Sequence, residues 1–240
     1  MKKIYILILL LIVCAPCPLI AQQAEEPPSK FYLDAHAGSP LFWGDISSLG
    51  AKNYPGIAIG AAAGYRIKKW MALELGLDHG AGVLGAASDQ ANDLLDNAGV
   101  IRYTNGNWKL GNVYSRTVFT RVGLRVPVQV FTMFAPAKNR RVDAELAPHI
   151  YLNHFKPGIY DIASNKKLTT GAKPGGWAYA PGGDIGINAK IGDRVKIYLR
   201  SAVSWLSDER FEGISSEPPW RVNLQSYTTI GFQFDVGKRE

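Results

Sequence analysis

The chain has 240 residues, with 27 Lys and Arg against 20 Asp and Glu, a net charge of +7 and a mean hydropathy of −0.05. This basic excess is modest, and the absence of Lys and Arg runs interleaved with aromatics argues against a nucleic-acid partner. The length suits one all-β domain, and no segment beyond residue 21 is apolar for long enough to cross a bilayer as a helix.

Met1-Lys2-Lys3 precedes an uncharged run, Ile4 to Val13, and the small Ala21 comes before the polar Gln22. A basic start, a short apolar stretch and a small residue describe an N-terminal signal peptide over residues 1–21, and hence an exported chain. Both cysteines, Cys14 and Cys17, lie inside it. Cleavage after Ala21 would leave residues 22–240 as one domain without disulfides, and would lower the net charge to +5 by removing Lys2 and Lys3.

After a polar leader, Gln22 to Lys30, residues alternate between apolar and polar in eight ribbons. In the first, Phe31, Leu33, Ala35, Ala37, Leu41 and Trp43 oppose Tyr32, Asp34, His36, Gly38 and Phe42. The second runs Ile57 to Ile67, Lys68-Lys69 turns the chain, and the third runs Met71 to Asp78. Gly80–Gly111 reads as a long loop in which DQANDLLDN suggests a short helix. The fourth ribbon runs Ser115 to Val130, APAKNR turns the chain, and the fifth runs Arg141 to Asn153. Lys156–Gly176 reads as a second loop. The sixth ribbon, Asp184–Ile191, is followed by a Gly192-Asp193 turn and the seventh, Val195–Trp205. Ser207–Arg221 is a third loop, and the eighth ribbon is YTTIGFQFDV, Tyr227–Val236.

Short connections after the even strands and mostly longer ones after the odd strands are the rhythm of a bacterial outer-membrane barrel. The fold class expected is all-β, an eight-stranded antiparallel transmembrane β-barrel in the outer membrane of a Gram-negative cell. Trp43, Trp177 and Trp205 fall at outer strand ends and Trp70 at an inner start, as interface aromatics would.

The polar rows carry seven acids (Asp34, Glu74, Asp78, Asp143, Glu145, Asp184 and Asp235) and seven bases (Arg66, Arg121, Arg125, Arg141, Lys190, Lys196 and Arg200). An eight-stranded barrel leaves room only for side chains, and an unpaired ion there would cost several kcal/mol, so a mutually neutralising lumenal network is expected. A lumen filled in this way is a poor pore. The apolar rows are almost free of charge, Arg116 near the outer end of the fourth strand being the exception.

FYLDAHAGSPLFWGDI, followed by the glycine-alternating GIAIGAAAGYRIKKWMALELGLDHG, resembles the small outer-membrane β-barrel proteins of Bacteroidota. These are similar in architecture to the eight-stranded barrels of the OmpA and OmpX kind. HIYLNHFKP, APGGDIGINAKIGDRVKIYL and WLSDERFEGI extend the resemblance over nearly all of residues 22–240. In WLSDERFEGI, Phe211 and Glu212 stand where the family carries Leu and Asp. The role expected is that of a non-enzymatic anchor or scaffold among outer-membrane lipid and lipopolysaccharide. Some relatives serve type IX secretion, where a barrel holds a periplasmic lipoprotein, so a lipoprotein or secretion-complex partner is also implied.

A lipid A-modifying enzyme would need a His and a Ser or similar residues near the outer leaflet. The histidines are His36, His79, His149 and His154, and Ser201, Ser204 and Ser207 share one strand or its end. Parity puts His154 toward lipid and His149 in the lumen, where it is expected to join Glu145 and Asp143. Asp89, Asn92, Asp93, Asp96 and Asn97 lack calcium-loop spacing, and no phosphate cradle, HExxH or CxxC occurs beyond residue 21. No cofactor is expected, and PGGWAYAPGG reads as turn and close-packing positions. A surface adhesin or receptor working through the outer loops is the remaining alternative.

Overall fold

The computed structural model describes residues 29–44, 54–85, 110–135, 140–168, 175–208, 211, 213 and 223–237. The expected signal peptide, the DQANDLLDN helix, the Asp89–Asn97 group and most of the third loop lie outside these residues.

Eight long strands form one antiparallel ring: β1 (Phe31–Trp43), β2 (Tyr54–Lys68), β3 (Met71–Gly85), β4 (Val113–Arg125), β6 (Val142–Asp161), β7 (Gly176–Lys190), β8 (Val195–Trp205) and β9 (Leu224–Val236). A two-residue strand, β5 (Val128–Gln129), pairs with β3 and β6 beneath the end of β4. Closure comes from β1 against β9, with Phe31 opposite Val236 and Trp43 opposite Leu224. Every strand therefore has two partners, and no backbone edge is left for lipid to meet.

The period-two pattern sorts the side chains as the alternation predicts. Leu33, Leu75, Leu124, Ile150, Ile187, Leu199, Ile230 and Phe232 are exposed on the outside, while Asp34, Glu74, Arg125, His149 and Arg200 are buried within. A soluble protein would reverse this arrangement, so hydrocarbon is the solvent that fits the outer surface. Polar side chains on that surface satisfy one another: His79 Nδ1 lies 2.9 Å from Thr120 Oγ1, and the Ser201 and Thr228 hydroxyls are 3.2 Å apart.

The largest departures from the sequence expectation lie at four strand boundaries. β3 continues through Gly85, because Gly80 and Gly82 carry on the inward row; a Cβ on Gly82 would lie 2.5 Å from the Phe42 ring, so the apparent loop is a strand stripped of side chains. β6 continues to Asp161 and β7 begins at Gly176, so Lys156–Asp161 and most of PGGWAYAPGG are paired strand, with Gly175 at φ +110° as the turn position. Finally, β4 stops at Arg125. Pro127 has no amide hydrogen to continue a ladder, and the chain makes β5 and then a short helix, Val130–Phe134. The connection after the fourth strand is accordingly long, against the expected short turn.

The interior is layered. At the end carrying the longer loops, Phe42, Leu84, Phe119, Phe155, Leu206 and Phe211 form an apolar cap. Phe211 belongs to the loop motif, not to a strand, and its ring lies 5.8 Å from those of both Phe42 and Phe155. Its carbonyl accepts a 2.7 Å hydrogen bond from Thr117. Below the cap lies the charged core.

Candidate functional site: a sealed lumen and two rims

The centre of the lumen is built on Arg125. Its Nε donates to Asp184 Oδ2 at 2.7 Å and its Nη2 to Asp184 Oδ1 at 2.6 Å, while Nη1 reaches Glu74 at 3.2 Å and Nη2 also meets Glu145. Arg200 pairs with Asp34 at 3.2 Å and lies 3.0 Å from Glu145. Arg121 donates to Asp78 at 2.8 Å, and its guanidinium sits 4.3 Å from the ring centres of both Tyr151 and Tyr227. At the opposite end from the cap, Arg66 holds Asp235 at 2.6 Å. Charges buried at this depth need such partners, since removing one leaves the other unpaired away from water.

The network includes groups that the charge pattern alone does not select. His36 bridges two carboxylates, with Nδ1 2.7 Å from Asp34 and Nε2 2.5 Å from Asp78. Tyr32 donates to Glu74 at 3.0 Å, and Tyr198 to Asp34 at 2.6 Å. Gln129 bridges Glu145 and Asn188 at 2.6 and 2.7 Å. All but Gln129 lie in the inward rows of long strands, so the same parity that selects the charges reaches them; Gln129 is hidden because β5 is too short to show a period.

Other expected members sit elsewhere. Arg141 is exposed just before β6 and Lys190 is exposed at the end of β7, so both belong to the rim. Lys196 is half-buried in a small cleft at the same rim, with Tyr32, Arg66, Gln129 and Glu145. Asp143 is buried but accepts from Phe131 N at 2.8 Å and Thr132 N at 3.1 Å, capping the short helix instead of pairing with a base. Of the interface aromatics, Trp177 and Trp205 are exposed at the loop end, Trp43 is half-buried there, and Trp70 lies in the β2–β3 turn under Lys68.

His149 joins neither Glu145 nor Asp143. Its Nε2 lies 2.8 Å from Ser204 Oγ and its Nδ1 3.4 Å from Asp184 Oδ2. This has the composition of a Ser–His–Asp triad, yet Ser204 is only 1 % exposed and the apolar cap lies between this level and the loops. Asp184 is also committed to Arg125. A substrate would have to enter a packed interior to reach it. Just below the cap, both amide ends of Asn153 and Gln225 are buried without a hydrogen-bond partner among the described residues. Among the described residues, no His, Cys, Asp and Glu cluster has metal-holding geometry.

The two rims differ. At the tight-turn end, the helix Val130–Phe134 exposes Phe131, Met133 and Phe134, with Arg140 5.3 Å from the Phe131 ring centre. At the loop end, Ile162–Asn165 turn around Asp161, which accepts from Ala163 N at 3.2 Å and Ser164 N at 3.0 Å. The Ser164 hydroxyl, also bound there, is the main cause holding the Asp161 carboxyl below its ordinary range.

No family model matches the chain, and no curated protein matches its sequence. Solved structures do. Neisserial surface protein A is 13% identical, with 88% of this chain and 100% of that one covered and a TM-score of 0.50. Ail, the attachment invasion locus protein of Yersinia pestis, gives 10% identity, coverage of 86% and 99%, and a TM-score of 0.45. The outer membrane protein OprG from Pseudomonas aeruginosa gives 8%, 90% and 100%, and 0.43. The first of these bears on the fold alone, which is that of a small membrane barrel.

Proposed function

We propose that the chain is a non-enzymatic outer-membrane anchor or scaffold whose work is done at its two rims. The observation that carries this reading is the closed interior: an apolar cap that includes the loop residue Phe211, above a core in which Arg121, Arg125 and Arg200 are tied to carboxylates. Neither a solute path nor a substrate pocket fits such a lumen, whereas a rigid cylinder suits the holding of other molecules. The outer-membrane setting rests on the exposed apolar belt together with the barrel fold.

A periplasmic lipoprotein of a type IX secretion complex is the partner class implied by the resemblance to Bacteroidota barrels. The exposed Phe131, Met133 and Phe134 offer it an apolar foothold at the rim that also carries Lys68 and Lys69. Purification of the tagged chain from detergent-solubilised membranes tests this. Co-purification of one lipoprotein at equal stoichiometry, lost on Phe131→Ser and Phe134→Ser, supports it; recovery of the barrel alone speaks against it. The enzymatic alternative draws on His149 and Ser204, and the adhesin alternative on the outer loops. Altered lipid A acyl chains on overexpression would favour the former, and lost host-cell binding on trimming Gly80–Gly111 the latter.

A further inference from the structure

Among the charges on the outer surface, three gather in one place. Arg116 on β4 lies directly opposite Gly158 on β6, and Lys156 stands two residues along the same outward row, opposite Val118. Lys167 arrives from the loop: its Cε lies 3.3 Å from where a Cβ on Gly158 would sit. The missing side chain at Gly158 thus leaves room for the Lys167 stem, across the ladder from Arg116. Arg116, Lys156 and Lys167 are all exposed, and among the described residues no carboxylate forms a salt bridge with any of them.

The loop that delivers Lys167 is built to hold it there. Lys167 bridges to Tyr160, Leu168 N donates to Ile159 O at 2.8 Å, and Asp161 N to Lys166 O at 3.0 Å. Tyr114 stacks on Tyr160 with ring centres 5.2 Å apart at 13°, and its hydroxyl binds Asn165. Below the cations, His154 packs against Trp177 at 4.8 Å, and exposed Trp177 and Tyr179 mark the apolar–polar boundary. Three cations at the loop end of an apolar belt, with no carboxylate partner among the described residues and flanked by aromatics, fit an anion that itself sits at a membrane interface.

We propose that Arg116, Lys156 and Lys167 form a docking site for the phosphorylated headgroup of an outer-leaflet lipid. Arg116 offers its planar fork to phosphate oxygens, the two lysines supply point charges, and the acyl chains lie along the exposed Val122, Leu124 and Ile150 below. The site rests on the outer-membrane reading, since only that orientation brings lipid phosphate to this rim.

The test uses the full chain inserted into phosphatidylcholine vesicles doped with bis-phosphorylated lipid A or with its dephosphorylated form. The lipid retained per barrel after gentle detergent extraction is measured by mass spectrometry. Retention of the phosphorylated form is expected to fall about fivefold for each of Arg116→Gln, Lys156→Gln and Lys167→Gln, and on the order of a hundredfold in the triple variant. Lys68→Gln with Lys69→Gln and Arg141→Gln makes the same charge change at the other rim and should leave retention intact. Equal retention of the two lipid forms, or equal losses in the two triple variants, would overturn the proposal. Failure of the unsubstituted chain to insert, seen as loss of heat-modifiable gel mobility, would sink the membrane reading and this site with it, and is scored separately from lipid retention.

Discussion

Arg125 grips Asp184 through two parallel hydrogen bonds, Nε to Oδ2 at 2.7 Å and Nη2 to Oδ1 at 2.6 Å, and so ties β4 to β7 over the intervening β6. These strands are not neighbours in the ring, so the pair acts as a strut. Arg125→Met leaves Asp184, Glu74 and Glu145 without their shared cation, and is expected to cost about 3–5 kcal/mol. Urea unfolding of the vesicle-inserted barrel, followed by tryptophan fluorescence, measures the loss. A shift below 1 kcal/mol would mean that the core carboxylates do not depend on this guanidinium.

The outer surface gives the opposite sensitivity. Leu75→Arg and Phe232→Arg place a charge on the apolar belt, where roughly 2–4 kcal/mol is expected near the bilayer midplane. The same assay reads both, and Arg116→Leu at the rim should change stability far less.

Gly82 sits beneath the Phe42 ring. Gly82→Val would drive that ring from the apolar cap, with an overpacking cost of about 1–3 kcal/mol. Planar-bilayer recordings of this variant should show openings that the unsubstituted chain lacks. If both are equally silent, the cap is not the element that closes the lumen.

Ser204→Ala removes the partner of His149 Nε2 in a buried setting, which is expected to cost about 1–3 kcal/mol. Lipid A composition in cells expressing this variant should match that in cells expressing the unsubstituted chain. A change in acyl pattern that disappears with Ser204→Ala or His149→Gln would turn the packed group into a catalytic one.

Much of the barrel is legible in the alternation because each strand meets two opposed solvents. Where both faces carry side chains, as in Leu73–Asp78 or Leu199–Ser204, parity places each residue correctly. It fails where the pattern loses side chains or gains length: Gly80 and Gly82 hide the end of β3, and Lys156, Pro157 and Gly158 hide the end of β6. The charged core is visible as inward acids and bases, but the pairing of Arg125 with Asp184 is not, because the two lie on strands separated by β6 and share no ladder. Asp143 illustrates the limit. Its burial follows from parity, yet its use as a helix cap depends on a helix whose Val126-Pro127-Val128 approach reads as strand.

Lipid against the outward row, with the inward row packed away from water, has a direct spectroscopic signature. The chain from Gln22 onward has no cysteine, so single cysteines at positions 229 to 234 can carry spin labels in the vesicle-inserted barrel. A period-two pattern is expected: at 230, 232 and 234 labels collide freely with oxygen and hardly with a water-soluble nickel chelate, while labels at 229, 231 and 233 are reached by neither. Free collision of the nickel chelate with labels at 230 and 232 would instead place water where hydrocarbon is required, and the barrel would not be a membrane barrel.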